Sequence, residues 1–212
     1  ILINLFVVLF APLIAPYSET QLVTDVWAPP SSENWLGGDQ LGRDMLTRII
    51  YGARTTITSA FIATMLSFVL GIIAGFAAAI MGGVVDMVLS RLVEALMAIP
   101  TLILALVIIS VLGTDIIVLI GVIAALDSTR VFRLSRAIAM DIAVMEYVEA
   151  ARLRGEGLWW VMTREVLPNA AMPLLTDFGL RLGFVILFIS SLSFLGLGVQ
   201  PPTAGWGSMV RE

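Results

Sequence analysis

Residues 55–81 contain no charged side chain. Crossing a hydrocarbon core about 30 Å thick takes a helix of roughly 20 apolar residues at about 1.5 Å each, and this run is long enough. Further largely apolar segments occupy residues 1–15, 85–112, 115–128 and 171–195. The balance of residue types agrees: 59% of the chain is hydrophobic and 13% charged, against about 25% charged in an ordinary soluble domain. Lipid is therefore the solvent for most of this chain. The expected fold is all-α, a polytopic transmembrane helical bundle with about five spans in its 212 residues.

The start is an apolar run without Met and without a basic leading region. Residues 1–16 thus read as the visible part of a first transmembrane helix rather than as a signal peptide. A sixth span is expected beyond Glu212. Between these limits the chain divides into the partial first helix (1–16), an external loop with an amphipathic helix (17–54), and a transmembrane domain (55–212) that includes a polar loop at 130–169.

The residues that are missing narrow the chemistry. The chain has no His and no Cys, and all twelve of its basic residues are Arg. It therefore has no imidazole base, no thiolate, no disulfide, no His or Cys metal ligand, no phosphate-loop lysine and no Schiff-base lysine. Catalytic residues, a resident metal and a cofactor are not expected. If ATP drives this protein, another subunit must bind ATP-Mg and hydrolyse it. The net charge of −4 argues against a nucleic acid partner.

Along the chain, Pro29, Pro30, Gly37 and Gly38 mark a loop. From Asp39 the spacing of Leu41, Met45, Ile49 and Ile50 predicts a short amphipathic helix at the membrane surface, with Asp39 as its N-cap. Asp39, Arg43 and Asp44 fit either contact with a delivery protein or local capping and pairing. In the run 55–81, Gly71 and Gly75 form a G-x-x-x-G pair, which suits close helix packing in membranes, or arises by chance in a Gly-rich run. Gly82-Gly83 predicts a turn. Pro100 should kink the helix over 85–112, and the span 115–128 is tilted or continues as helix into the next segment. Arg91 with Glu94, and Asp177 with Arg181, are spaced to pair; such groups mark a transport path or a structural contact. Trp206 reads as an interfacial anchor.

Residues 130–169 hold Arg130, Arg133, Arg136, Arg152, Arg154 and Arg164. The positive-inside tendency makes this loop cytoplasmic, and counting spans backwards puts loop 17–54 outside. Within it, a helix over 137–154 carries an apolar face of Ile138, Ile142, Met145 and Val148, with Glu146 and Glu149 off that face. Gly155 and Gly157 interrupt it, and a second short helix from Leu158 ends at Pro168. Trp159 and Trp160 suit a partner's groove or the lipid interface. The segment is either a docking surface for another protein or a connector lying on the bilayer.

The order Glu149-Ala150-Ala151, three residues, Gly155, then Leu167-Pro168 resembles the cytoplasmic EAA signature of the membrane subunits of bacterial ATP-binding-cassette importers. The likeness extends over about residues 34–210. Gly37 to Asp44, Ile50 to Arg54, Arg130-Val131-Phe132-Arg133, Leu167 to Ala170, and Leu192 to Pro202 with Trp206-Gly207 look like the second permease of the dipeptide/oligopeptide/nickel transport family. Departures are Gly38 for a frequent Thr, Ala125 for Trp, Ile189 for an acidic residue, and the charged turn Arg152-Leu153-Arg154-Gly155-Glu156-Gly157.

The resemblance implies a permease subunit of an importer for dipeptides or oligopeptides. Its partners would be a second, homologous permease, two ATPase subunits, an external solute-binding protein and the membrane lipid. It implies that Glu146, Glu149, Ala150, Ala151, Arg152, Gly155, Leu167 and Pro168 form the coupling segment against the ATPase, with small Ala150 and Ala151 permitting close approach. Gly196, Gly198, Pro201 and Pro202 would border the substrate route at the outer face or simply shape a turn. Nickel- or opine-type cargo is the alternative within the same family. An ATP-independent secondary transporter is the alternative outside it, disfavoured by the charge-free runs 55–81 and 101–112; a membrane enzyme lacks a convergent set of residues, and a passive scaffold would have no nucleotide-dependent partner at the loop from Glu146 to Pro168.

Overall fold

The computed structural model describes residues 2–212, with side chains from Phe6 onward. It is helical with no strand among the described residues, apart from two isolated bridges pairing Leu22 with Arg43 and Gly38 with Asp44. The helices are α1 (Leu2–Ile14), α2 (Met45–Met81), α3 (Gly83–Met97), α4 (Thr101–Leu112), α5 (Ile116–Ala143), α6 (Glu146–Leu153), α7 (Leu158–Trp160), α8 (Leu167–Phe194) and α9 (Trp206–Arg211). A wider, π-helical stretch, Val161–Val166, joins α7 to α8, so Leu158–Phe194 is one continuous helix of 37 residues.

By length and composition α2 and Leu158–Phe194 can each cross a bilayer, and α3 with α4 can form a third, broken span. α1, expected as the visible part of a first span, covers 13 residues. One other expected span is built differently: α5 carries Asp127, Arg130, Arg133, Arg136 and Asp141. The fourth expected span and the start of the polar loop are one helix, α5. Large apolar side chains such as Met172, Leu175, Leu180, Phe184 and Leu187 stand exposed on α8. That surface suits lipid or another membrane subunit rather than water.

Four local outcomes differ from the expectations, the first being that the helix from Leu158 does not end at Pro168 but runs on to Phe194. No separate surface helix starts at Asp39: α2 begins at Met45 and runs unbroken to Met81. Its N-cap is Asp44, whose Oδ2 accepts the Thr47 N–H at 2.8 Å, because the chain at Asp39 is still folded back in the bridged loop. Pro100 does more than kink a helix. The axis turns by 88° between α3 and α4, since Pro100 has no N–H to give and restricts Ile99 before it. Finally, the helix expected over 137–154 is broken, because Met145 is extended at φ −76°, ψ 143° and starts a new helix, α6.

The chain divides into two compact units. The first comprises residues up to Ile62, Leu106–Ile120 and Phe184–Glu212. A buried charge network organises it. Asp39 Oδ1 accepts the N–H groups of Leu41 (2.8 Å) and Arg43 (2.9 Å). Its Oδ2 meets Arg43 Nε at 2.7 Å and Arg48 Nη1 at 2.6 Å. Arg48 also pairs with Glu212 through both guanidinium nitrogens, Nη2 to Oε1 at 3.1 Å. Arg48 is 1% exposed, Asp39 1%. Burial alone would raise the Asp39 carboxyl, but the N–H groups of Arg43 and Leu41 and the Arg43 guanidinium hold it below the usual carboxylate range. Asp39, Arg43 and Asp44 are thus capping and pairing residues, too buried to meet a delivery protein. Trp206 anchors within the chain: its indole donates to the Ile49 carbonyl at 3.1 Å, in a slot kept open because Gly52 has no Cβ.

The second unit comprises Ala63–Ala105 and Gly121–Gly183. Here the G-x-x-x-G pair is a packing device. A Cβ on Gly71 would lie 2.6 Å from Val131 Cβ, and one on Gly75 would lie 2.2 Å from Ser135 Oγ. The close approach lets Ser135 Oγ donate to the Gly71 carbonyl at 2.9 Å, tying α5 to α2. Phe68 and Phe178 meet edge to face at 5.1 Å. The apolar core continues through Phe76, Val131, Ala139 and Ile142 to Val148, Ala151, Val161, Met162 and Val166, so the polar loop is rooted in the helix bundle.

Candidate functional site

The acidic residues Glu146 and Glu149 lie in the first turn of α6 and Arg152 in its last. Each charge is on the side the helix dipole favours. Three bonds close the C-terminus: Arg154 N–H to the Ala150 carbonyl (3.1 Å), Gly155 N–H to Arg152 (2.9 Å) and Glu156 N–H to Ala151 (3.2 Å). This pattern is a Schellman motif and needs a left-handed residue after the cap. Gly155 supplies it at φ +82°, with open space where a Cβ would sit. Conformation, not crowding, therefore requires glycine here.

The inner face of α6 is Val148 and Ala151, both fully buried against Val161, Met162 and Val166. The outer face is Glu146, Tyr147, Glu149, Ala150 and Leu153, all exposed. Small Ala151 serves contact within the chain, whereas Ala150 is exposed. The break at Met145 resets the helical phase, which periodicity across 137–154 could not show. Met145 itself, expected on the apolar face, is exposed.

Arg152 Nη2 donates to the Ile80 carbonyl at 3.4 Å, near the C-terminal end of α2. Arg154 lies 5.9 Å over the Trp160 ring and 4.0 Å from Glu165 Oε1. These contacts bind the turn to α7 and to the π-helical stretch. Trp159 points outward. Leu167 and Pro168 open α8 and are exposed. The arrangement is a short charged helix held rigidly by its back face, with Glu146 and Glu149 forming no ion pair among the described residues. Its back face and turn contact residues of α2, α5 and the Leu158–Phe194 helix.

The second expected group is a turn. Gly196 takes φ +87° and closes α8 with the same Schellman bonds, Gly196 N–H to Ser193 and Leu197 N–H to Leu192, both 3.0 Å. Gly198 packs against Ser193, where a Cβ would fall 2.0 Å from Ser193 Oγ. Gln200 Nε2 donates to the carbonyls of Gly196 (2.8 Å) and Gly198 (3.0 Å). Pro201 and Pro202 stand exposed beyond it.

Arg91 with Glu94 (3.1 Å) and Arg181 with Asp177 pair as their spacing suggests. Sequence reasoning missed the longer-range partners. Asp127 joins Arg181 at 3.2 Å and accepts from Ser67 Oγ at 3.2 Å. Asp86 holds Arg136 through two oxygens, one at 2.6 Å from Nη2. An ionisable residue inside an apolar segment demands a partner; Asp127 gave that signal, but its partner lies 54 residues away.

A family model described as the binding-protein-dependent transport system inner membrane component matches residues 67–212. The di/tripeptide transport system permease protein of Pseudomonas aeruginosa is 37% identical over the whole chain and 72% of its own length. The dipeptide transport system permease protein of Haemophilus influenzae is 34% identical, again over the whole chain and 74% of its own length. The glutathione transport system permease protein of Pectobacterium atrosepticum is 32% identical over 86% of this chain and 61% of its own. With apolar helices able to cross a bilayer, a family match over most of its length and relatives of this identity, the chain belongs to the binding-protein-dependent transport system inner membrane components, the membrane-embedded permeases of ATP-binding-cassette importers.

Proposed function

We propose that the chain is the permease subunit of an ATP-driven importer of peptides, and that α6 is its coupling helix. The observation that carries the coupling assignment is the two-sidedness of α6: its back face is locked into the bundle core, while Glu146, Glu149 and Ala150 face outward, the two glutamates with no ion pair among the described residues. Glu149 pairs with a basic residue of an ATPase, and Arg152, Gly155, Leu167 and Pro168 keep the segment in shape. Closure of two ATPases around ATP moves the two coupling helices as rigid bodies and rocks the spans between inward- and outward-facing states. ATP-Mg and its hydrolysis belong to those subunits; this chain performs no covalent chemistry. Peptide cargo is favoured by the relatives, named for di/tripeptide, dipeptide and glutathione transport. Cargo arrives from an external solute-binding protein and crosses beside a second permease. Loop 130–169 is cytoplasmic and loop 17–54 external. The exposed Pro201 and Pro202 are the part of their turn left to meet cargo or a partner.

The test is co-purification from mild detergent, comparing wild type with Gly155→Pro. Proline cannot adopt φ +82° and removes the N–H that closes the helix. The wild type should bring down an ATPase and a second permease, and the variant should lose the ATPase alone. Absence of any ATPase from the wild type would contradict the coupling assignment.

A further inference from the structure

A polar cleft of about 440 Å³ lies between α3 and α5, lined by Ser90, Val93 and Glu94 on one side and Phe132, Arg133, Arg136 and Ala137 on the other. Its charges do not cancel. Arg136 is held by Asp86 through both oxygens, and Glu94 is engaged by Arg91 at 3.1 Å. Arg133 and its neighbour one turn earlier, Arg130, meet no carboxylate among the described residues. Arg130 Nη2 reaches only the Thr101 hydroxyl, at 3.4 Å, and Arg133 Nη1 only the Met97 sulfur, at 3.9 Å. Both side chains border the break between α3 and α4 and are exposed. Two net positive charges are thus left where every other nearby ion is matched.

An unmatched guanidinium is costly against lipid and persists where water or an anion meets it. Its planar fork suits a carboxylate or phosphate, which it can hold through two parallel hydrogen bonds. We infer that Arg130 and Arg133 receive the free carboxylate of the cargo as it passes, and that this permease favours peptides with an unblocked C-terminus. The inference rests on the peptide reading above. The cleft itself favours a peptide over a lipid phosphate. Beside the arginines lies the Glu94 carboxylate, which repels a phosphate but, although paired with Arg91, has lone pairs left to accept from a peptide ammonium or N–H group.

The experiment uses the complete importer in proteoliposomes with saturating binding protein, and measures ATP-driven uptake of dialanine and of its C-terminal amide. For each peptide the flux of Arg130→Gln/Arg133→Gln is divided by the wild-type flux, which cancels the binding protein's own preference. Dialanine uptake should fall about tenfold, as the loss of hydrogen bonds to a charged group implies, with the amide changing less than twofold. The double Lys variant should restore part of the discrimination and show that the complex still assembles. Equal loss for both peptides would overturn the inference and make the pair structural. An effect seen only in vesicles containing anionic lipid would overturn it in favour of a lipid headgroup. If the wild type holds its ATPase yet imports neither peptide, the peptide reading itself fails.

Discussion

Around Asp39, two carboxylates and two guanidinium groups are largely buried and matched to one another; on α6, Glu146 and Glu149 stand in the open with no basic partner among the described residues. The same residue types do opposite work. A buried charge is tolerable only when it is paired and hydrogen-bonded, so the Asp39 network fixes one arrangement of the loop, α2 and α9. An exposed charge contributes little to stability and is free to specify a partner. The contrast separates positions where a substitution harms the fold from those where it harms only transport.

The largest effect should come from opening the buried network. Arg48→Ala removes one of the two cations on Asp39 and the nearer one on Glu212 and should cost about 3–5 kcal/mol, read as a lower melting point in detergent. The same network predicts a pH dependence. The Asp39 carboxyl is lowered in the folded protein, so its stabilisation is complete above the unfolded value of about 3.9. It is lost as pH falls from there through the folded value. Stability measured from pH 6 down to pH 3 should drop below about pH 4 in the wild type, and drop less in Asp39→Asn.

The two alanines sharpen the comparison within one helix. Ala151→Leu overfills the contact with Val161 and Val166 and should cost about 1–3 kcal/mol. Ala150→Leu, one residue earlier on the open face, should change stability by less than about 0.5 kcal/mol yet weaken ATPase retention. Gly155→Ala must hold a left-handed conformation and should cost about 1 kcal/mol. That loss should be local, seen as faster amide exchange at Gly155 and Glu156 with the rest of the bundle unchanged.

Much of this was legible in the sequence because it depends on near neighbours. The charge-free run 55–81 announced α2, Gly71 and Gly75 announced its tight packing, and Gly155 announced the end of α6. Pro100 marked the break between α3 and α4, though not its angle, which depends on what surrounds the two ends. The pairings that closed over long separations were hidden. Arg48 and Glu212 are 164 residues apart, and nothing in helical periodicity links them. The exposure of the α6 residues was only half legible. Periodicity gave an apolar and a polar face, but the extended residue Met145 shifted the phase, so Ala151 turned inward beside Val148.

The central claim is that the open face of α6 transmits ATP hydrolysis to the spans. It is tested most directly by Glu149→Arg, which reverses a charge that has no ion-pair partner among the described residues. In proteoliposomes holding the complete importer, the account predicts normal insertion and melting, ATP hydrolysis that no longer responds to cargo-loaded binding protein, and loss of uptake. Uptake at the wild-type rate, driven by ATP, would contradict it.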